Sequence, residues 1–287
     1  MERNIRIGWC LVALVLLPAV VAENGAGEKP AEDKIITIQM DPYMELCRGT
    51  YEQHPAVTSQ LYCWYDARNA HSIISPSKVE VLHNVPFVAL LHGAVDDSEI
   101  EQLQALGDSH IQRSGPTNDS WLPVYYDDHQ TYTLHERDHP VVERLTRRVE
   151  RMTGLSCDTA EDLKVIYNEI GSFKTAELDA IQTKEEYHRF AYAGDRLATV
   201  LFFLSDVEKS GNLIFPKLRI GIRPQKGTAA FWYNLKPTGE ANLNMKYSIC
   251  PLQEDSKWTA KKVIHTRGNE LRDLCYPSSA PSTSNKD

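Results

Sequence analysis

Several features that would assign a protein class are missing from this sequence. After the first residues there is no apolar run of the roughly 20 residues that a membrane-spanning helix needs. The formal net charge is −8 and no cluster of lysine and arginine recurs, so nucleic acid is not an expected partner. No cysteine and histidine spacing typical of a zinc site is present, and no internal repeat. These absences exclude a membrane-spanning protein, a nucleic-acid-binding protein and a repeat protein.

The amino terminus carries the one long apolar run. Arg3 and Arg6 precede the apolar residues from Ile7 to Val21, and small residues follow before the chain turns polar. This order is typical of a signal peptide, whereas a membrane anchor would need a longer run. Residues 1–22 are therefore predicted to direct the chain to the endoplasmic reticulum lumen or out of the cell. Asn118 would then be an acceptor for glycosylation.

Cysteine is scarce, and five cysteines lie after the predicted signal peptide. An oxidising compartment favours their pairing, although connectivity does not follow from sequence alone. The neighbouring pairs Cys47–Cys63 and Cys250–Cys275 are predicted disulfides, because they close short loops worth about 3 kcal/mol each. Cys157 is then left over, and we interpret it as a buried inert thiol rather than a reactive one.

Composition divides the mature chain into four parts. Residues 23–40 are charged and poor in large apolar side chains, which predicts a flexible leader. Residues 276–287 are rich in serine and predict a disordered tail. Between them, residues 41–162 are predicted to be partly helical, and residues 163–275 are predicted to form a β core.

Two helices are predicted in the first of these central parts. Ser98 and Glu101 have the spacing of a capping box, and apolar residues follow at helical spacing at Ile100, Leu103 and Leu106. A second helix is predicted to begin near Pro140 and to end at Gly154. Its apolar face consists of Val141, Leu145, Val149 and Met152.

Short apolar or alternating runs follow Asp162 and are separated by glycine and proline. Such runs are typical of the strands of a sandwich or barrel. The runs are Val165–Ile170, Leu197–Leu204, Asn212–Phe215, Leu218–Ile222, Thr228–Tyr233 and Tyr247–Ile249. The sequence therefore predicts a single α+β domain with helices first and a β core after them.

A series of short motifs also runs through the chain from about Tyr43 to Cys275. They are Leu46–Gly49, His139–Val142, Thr153–Leu155, Gly194–Thr199, Leu204–Glu208, Phe215–Pro216, Lys226–Ala229, Phe231–Leu235, Gly239–Glu240, Cys250–Pro251, Ser256–Trp258, Ile264–His265 and Arg267–Gly268. In order and spacing this series resembles the catalytic domain of animal prolyl 4-hydroxylase α subunits.

The resemblance implies a fold, a reaction and a set of ligands. The fold is a double-stranded β-helix, or jelly roll, with N-terminal helices packed outside. The reaction is the 2-oxoglutarate-dependent 4-hydroxylation of peptidyl proline in collagen-like chains. The implied cofactors are Fe(II), 2-oxoglutarate and ascorbate, and the implied partners are a proline-rich or collagen-like peptide and protein disulfide isomerase. Iron in this family is held by two histidines and one carboxylate, which leaves positions for cosubstrate and oxygen.

The resemblance assigns five residues to this site, and two of them depart from the family pattern. The iron positions fall on Glu177, Asp179 and Tyr247, of which only Asp179 keeps the family residue. Lys257 falls on the lysine that pairs with 2-oxoglutarate, and His265 falls on the further histidine of that site. Imidazole suits ferrous iron, whereas a phenol with a pKa of about 10 is a poor ligand until it loses its proton.

Two hypotheses follow from these departures. The first is a diverged oxygenase that acts on proline-rich secreted chains. The second is a non-catalytic member that binds a peptide, a partner subunit or a small dicarboxylate without turnover. His188 lies in the loop after Asp179 and could replace a lost ligand, but no carboxylate stands two residues after it, and we interpret it as a surface residue. Trp232 and Tyr233 are predicted to be core rather than a substrate platform.

Overall fold

The computed structural model describes residues 42–67, 73–74, 76–114 and 129–270. The predicted signal peptide, leader and tail lie outside the described residues, as do Asn118 and Cys275. Among the described helices, none combines the length and apolar character that crossing a bilayer requires.

The described residues form two antiparallel sheets. The strands are β1 (Cys63–Asp66), β2 (Ser77–His83), β3 (Val88–Leu91), β4 (His129–Leu134), β5 (Leu163–Asn168), β6 (Lys174–Glu177), β7 (Arg196–Phe203), β8 (Leu213–Phe215), β9 (Ile220–Ile222), β10 (Ala229–Tyr233), β11 (Tyr247–Ile249) and β12 (Lys257–His265). The large sheet has the order β1-β2-β3-β10-β7-β12-β5-β4, and the small sheet has the order β6-β11-β8-β9.

The chain alternates between the two sheets from β5 to β12. It enters the large sheet with β5, β7, β10 and β12, and the small sheet with β6, β8, β9 and β11. This alternation is the double-stranded β-helix that the resemblance implied, and the α+β fold class is confirmed. The six predicted runs correspond to β5, β7, β8, β9, β10 and β11. The prediction missed β6, β12 and the four strands that extend the large sheet before residue 163.

The interior of the barrel is an apolar layer between the facing sheets. The large sheet contributes Leu90, Leu201, Phe203 and Trp232, and the small sheet contributes Leu213, Phe215, Ile222, Tyr247 and Ile249. Trp232 is fully buried there, which confirms its predicted place in the core. The layer closes off most of the barrel, so polar groups on its strands have few possible partners.

The helices are α1 (Pro42–Arg48), α2 (Pro55–Thr58), α3 (Asp97–Ser114), α4 (Pro140–Thr153) and α5 (Lys184–Arg189). The apolar faces of α3 and α4 pack on the outer face of the large sheet. Gly107 permits close contact there, because a Cβ at this position would lie 2.5 Å from a ring carbon of Trp258. Helices outside the barrel are thus confirmed.

Both predicted helices are present, but one of them has a different N-terminal cap from the predicted one. α4 begins at Pro140 and ends with Gly154 in the left-handed conformation, as predicted. The capping box of α3, however, is formed by Asp96 and Glu99 rather than by Ser98 and Glu101. The Asp96 carboxylate accepts a bond from the Glu99 amide at 2.9 Å, and the Glu99 carboxylate accepts one from the Asp96 amide at 3.2 Å. The predicted frame was two residues late because five of the six residues from Asp96 to Glu101 have side chains that can act in a capping box.

The disulfide pairing differs from both predicted pairs. Cys47 is bonded to Cys250 across a sequence separation of 203 residues, and the exposed Cys63 has no disulfide partner among the described residues. The prediction favoured short loops, but the fold packs α1 on the outer face of the small sheet, where Leu46 and Cys47 contact Ile214 and Cys250. Cys157 is buried, and desolvation raises the pKa of its thiol to about 12, so this cysteine is unreactive as interpreted.

Candidate active site

The three iron positions that the resemblance assigned lie together at one end of the barrel. Glu177 is the last residue of β6, and Tyr247 is the first residue of β11, where the two are paired across the small sheet. Asp179 follows β6 by two residues and is 6 % exposed. The backbone therefore still brings together the residues that would hold a metal in the family.

Tyr247 occupies this position as a buried phenol. Its hydroxyl makes a short hydrogen bond to the Glu177 carboxylate and lies 3.1 Å from Oδ1 of Asp179. A phenol has one proton, so only one of these carboxylates receives it. Burial raises the pKa of Tyr247 well above its usual value, and the charges of Asp179 and Glu177 raise it further. Tyr247 is therefore a neutral donor and not a phenolate ligand.

Lys261 is the residue of this site that sequence reasoning missed. It reaches in from β12, and its ammonium lies 2.5 Å from Oδ1 of Asp179, 2.9 Å from the Tyr247 hydroxyl and 3.6 Å from Oε1 of Glu177. No family motif includes it. The available signal was the composition of β12, because lysine is rarely buried and this mostly buried strand carries three lysines.

Asp179 is ionised although it is buried. Burial alone would raise the pKa of this carboxyl, but the charge and hydrogen bond of Lys261 outweigh burial, and Thr199 adds a second bond, so the pKa lies below its usual value. The Thr199 hydroxyl donates to Oδ2 at 2.7 Å and accepts from the Asn234 amide at 2.9 Å. Both carboxylate oxygens of Asp179 thus already have partners from within the chain.

The charges at this end of the barrel balance without a metal. Glu177 and Asp179 are opposed by Lys261 and by Lys174, whose ammonium lies 2.8 Å from Oε1 of Glu177. Within the described part of the chain, no group of three histidine, cysteine, aspartate or glutamate residues is arranged to hold a metal ion. Iron(II) would find no imidazole here and would have to displace an ammonium from Asp179. These residues do not fit the metal that the family uses.

A cavity of about 370 Å³ opens onto this network. Its lining carries four acidic and four basic side chains, which are Glu161, Glu177, Asp179, Glu186, Lys164, Lys174, Arg196 and Lys261. Several of them are paired with each other, such as Arg196 with Glu161 at 2.5 Å and with Glu186 at 2.8 Å. The cavity is therefore strongly polar but has no excess of one sign of charge.

Lys257 lies on the same strand and the same face of β12 as Lys261, but in a different setting. It is 2 % exposed, and its amine donates to the Gly211 carbonyl at 3.0 Å. Desolvation lowers the pKa of this amine to about 7, and no carboxylate among the described residues pairs with it. Two neighbouring buried side chains, Asn168 and Thr259, have an oxygen without a partner. The Lys257 amine, when protonated, and the Thr259 hydroxyl can donate to one carboxylate of a ligand, whereas the Asn168 amide oxygen only accepts hydrogen bonds.

His265 does not share this second site. It lies at the other end of β12 from Lys257, roughly 25 Å away at the usual rise per strand residue, so one small dicarboxylate cannot contact both. Its Nδ1 lies 2.7 Å from the Gly194 carbonyl, and its Nε2 lies 3.5 Å from Glu161. The cosubstrate role of His265 stays a prediction, and in the structure the histidine contacts the turn at Gly194.

His188 is exposed on α5, with its ring against that of Tyr187. Its interpretation as a surface residue agrees with this position. The structure thus brings Glu177, Asp179 and Tyr247 together, adds Lys261 to them, and leaves His188 and His265 out of the group.

Comparison with known proteins identifies the family. No family model matches the chain. The chain is 34 % identical over 241 residues to human "Prolyl 4-hydroxylase subunit alpha-1", which covers 81 % of this chain and 45 % of the relative. It is 33 % identical over 261 residues to "Prolyl 4-hydroxylase subunit alpha-2" of Gallus gallus, which covers 89 % of this chain and 48 % of the relative.

The chain spans about half the length of these curated relatives. A solved structure, the viral collagen prolyl hydroxylase of Paramecium Bursaria Chlorella virus-1 as its 2OG complex, covers 61 % of this chain and 94 % of its own at 18 % identity, with a TM-score of 0.49. On the sequence matches, the chain belongs to the prolyl 4-hydroxylase α-subunit family.

Proposed function

We propose that this protein is a non-catalytic member of its family, which binds proline-rich or collagen-like chains in the secretory pathway without hydroxylating them. The observation that carries the proposal is the ion pair of 2.5 Å between Lys261 and Asp179. The family reaction needs Fe(II), and Asp179 is the one iron position that keeps its family residue. In this chain that carboxylate is already neutralised by a side chain.

The two other iron positions support the same reading. Tyr247 is a buried neutral phenol. Glu177 accepts the hydrogen bond from its hydroxyl and also forms an ion pair with Lys174. Neither side chain offers the neutral imidazole donor that suits ferrous iron. Binding of a peptide does not require iron. The polar cavity beside them presents donors and acceptors of both signs, which suits the carbonyl and amide groups of an extended chain.

Lys257 supports a second ligand for the same protein. A buried amine without a carboxylate partner is unfavourable unless something binds to it. The resemblance assigns this lysine to 2-oxoglutarate, so we propose that a small dicarboxylate binds here without being consumed. The bound dicarboxylate would then neutralise Lys257 and stabilise the folded protein that binds the peptide. Association with protein disulfide isomerase is proposed on the family resemblance alone, and copurification would test it.

The family reaction itself is the second candidate. The presence of Asp179 and Lys257 at their assigned positions favours it, since these residues would hold iron and 2-oxoglutarate, with ascorbate as the reductant of the family. This candidate requires that Fe(II) displaces the Lys261 ammonium. It therefore predicts that the wild-type chain binds Fe(II), which can be measured.

The deciding experiment mixes the purified mature chain with Fe(II) and 2-oxoglutarate in the absence of oxygen. The non-catalytic proposal expects no metal-to-ligand charge-transfer band in the visible range. It also expects no oxygen incorporation, by mass spectrometry, into a proline-rich peptide under air. A band together with turnover in the wild-type chain would overturn the proposal and favour the oxygenase.

A restored variant serves as the positive control. Glu177→His, Tyr247→His and Lys261→Ala together replace both lost imidazoles and remove the competing ammonium. A band in this variant and none in the wild type would locate the loss of iron at these three residues. Peptide binding is measured separately by calorimetry on the wild-type chain, and absence of binding to any proline-rich peptide would refute the binding half of the proposal.

A further inference from the structure

We infer that the ammonium of Lys261 takes the structural place of a metal ion, and that its removal would open this position to a hard divalent cation. The inference concerns what joins the two sheets at this end of the barrel. It goes beyond the proposed function, because a non-catalytic protein could lack iron without any side chain having replaced it.

The geometry supports substitution by a single cation. Lys261 projects from β12 of the large sheet, whereas Glu177, Asp179 and Tyr247 belong to the small sheet or the residues just after β6. The ammonium lies within 3.6 Å of one oxygen from each of the three. A metal bound by these residues would likewise contact three oxygens of the small sheet. Here the positive charge is delivered across the barrel by a side chain.

Lys174 cannot be the group that fills this place. Its ion pair is with Glu177, which lies on the same strand, β6 of the small sheet. This ion pair therefore does not join the small sheet to the large one. Lys261 is the more deeply buried of the two, with a side chain 13 % exposed against 19 % for Lys174. Of the two lysines, Lys261 alone forms an ion pair with Asp179 and links the two sheets. This difference provides a matched control.

The remaining donors decide which cation would enter. Without Lys261, the position would present the carboxylates of Glu177 and Asp179 and the hydroxyl of Tyr247. Oxygen donors of this kind suit Mg²⁺, Ca²⁺ and Mn²⁺ better than metals that prefer imidazole or thiolate. Mn²⁺ is the most useful probe, because its paramagnetic resonance spectrum changes on binding.

The test compares the wild type, Lys261→Ala and Lys174→Ala with and without Mn²⁺. We expect the wild type and Lys174→Ala to show the free-ion Mn²⁺ spectrum and an unfolding temperature independent of the metal. We expect Lys261→Ala to unfold at lower temperature without metal. Added Mn²⁺, about 100-fold above its dissociation constant, should raise the unfolding temperature of this variant by roughly 5–10 °C and give a bound spectrum.

Other results would overturn the inference. Equal Mn²⁺ binding by Lys174→Ala would mean that the effect is one of net charge alone. Binding by the wild type would mean that Lys261 does not occupy the position. A Lys261→Ala protein that fails to fold both with and without Mn²⁺ would also count against it, since the cation should then restore the fold.

A second variant separates the cation site from a loss of folding. In the double variant Asp179→Asn, Lys261→Ala the buried carboxylate is gone together with its partner. We expect it to fold without metal and to ignore Mn²⁺, whereas a Mn²⁺ response there would contradict the assignment of Asp179 as a ligand. Failure of the proposed function would be recognised by a separate result, which is peptide hydroxylation by the wild-type chain. That measurement uses none of these variants.

Discussion

Two lysines on one face of β12 meet opposite conditions inside the same barrel. Lys261 is surrounded by three oxygens and paired with a carboxylate, whereas Lys257 contacts one carbonyl and, in the part of the chain that the structure describes, no counter-charge. The end of the barrel that would hold the metal is thus electrostatically complete. The end that would hold the cosubstrate is not. The two ends to which the resemblance assigns one site therefore differ: charge is balanced around Lys261, which we call the closed half, and unbalanced around Lys257, which we call the open half.

The largest expected effect tests the closed half. Lys261→Met should lower the free energy of unfolding by about 3–5 kcal/mol, because it leaves the buried Asp179 carboxylate without its cation. Chemical denaturation measures the change. Lys236→Met is the control, because Lys236 forms an exposed pair with Glu240 and should matter by at most about 1 kcal/mol. A loss no larger than the control would show that the ion pair is not what completes this half.

The open half should respond in the opposite direction to removal of its lysine. The pKa of Lys257 is about 7 in the folded chain against an ordinary 10.5. Between these values the unfolded chain holds a proton that the folded chain lacks, so the unfolding free energy rises with pH. The stability cost of Lys257 is therefore full below pH 7 and vanishes above about pH 10.5.

Lys257→Met should accordingly stabilise the chain by roughly 2–4 kcal/mol at pH 6 and by much less at pH 10. Denaturation curves at the two pH values measure the difference. The exposed Lys246 gives the matched control Lys246→Met, for which no such dependence is expected. A variant that is less stable than the wild type at pH 6 would refute the contrast between the two lysines.

A smaller effect is expected from the hydroxyl that supports Asp179. Thr199→Val removes the bond to Oδ2 and leaves the Asn234 amide without its acceptor, which should cost about 1–3 kcal/mol. Thr259→Val is matched to it, because Thr259 is also buried on an interior strand but its hydroxyl has no partner. Thermal unfolding of both variants gives the comparison. Equal losses would mean that the bond to Asp179 contributes nothing beyond packing.

The smallest expected effect concerns the ligand of the open half. 2-Oxoglutarate should raise the unfolding temperature of the wild type, and Lys257→Met should weaken its binding at least about tenfold, or 1.4 kcal/mol. Binding should also weaken as the pH rises above 7, since the amine must be charged to attract a carboxylate. Unchanged affinity in the variant would place the dicarboxylate elsewhere or exclude it.

The sequence allowed much of this fold to be predicted and part of the site. Continuous apolar runs identify β7 and β10, because both strands are buried along nearly their whole length. β12 escaped the same analysis because Lys257, Lys261 and Lys262 interrupt the pattern, and a lysine in a strand is ordinarily exposed. The positions of Glu177, Asp179 and Tyr247 followed from the resemblance, since their spacing along the chain is kept.

The missing part of the site required contacts between distant segments. Lys261 and Asp179 are 82 residues apart, and no motif couples them, so only the packing of β12 against the small sheet reveals their pairing. The disulfide prediction was wrong for the same reason, because cysteines close in sequence were assumed to be close in space. The role given to His265 stays a prediction, because motif spacing does not give the distance between two ends of one strand.

The bond between Lys261 and Asp179 also bears on what an iron site in this chain would require. A single change of Glu177 or Tyr247 to histidine would place an imidazole beside an ammonium that still holds the carboxylate, and would gain no metal. Loss of Lys261 alone would leave the buried Asp179 carboxylate without its cation and would destabilise the chain. If the proposed function holds, each single step towards an iron site is thus disfavoured until the other two have occurred.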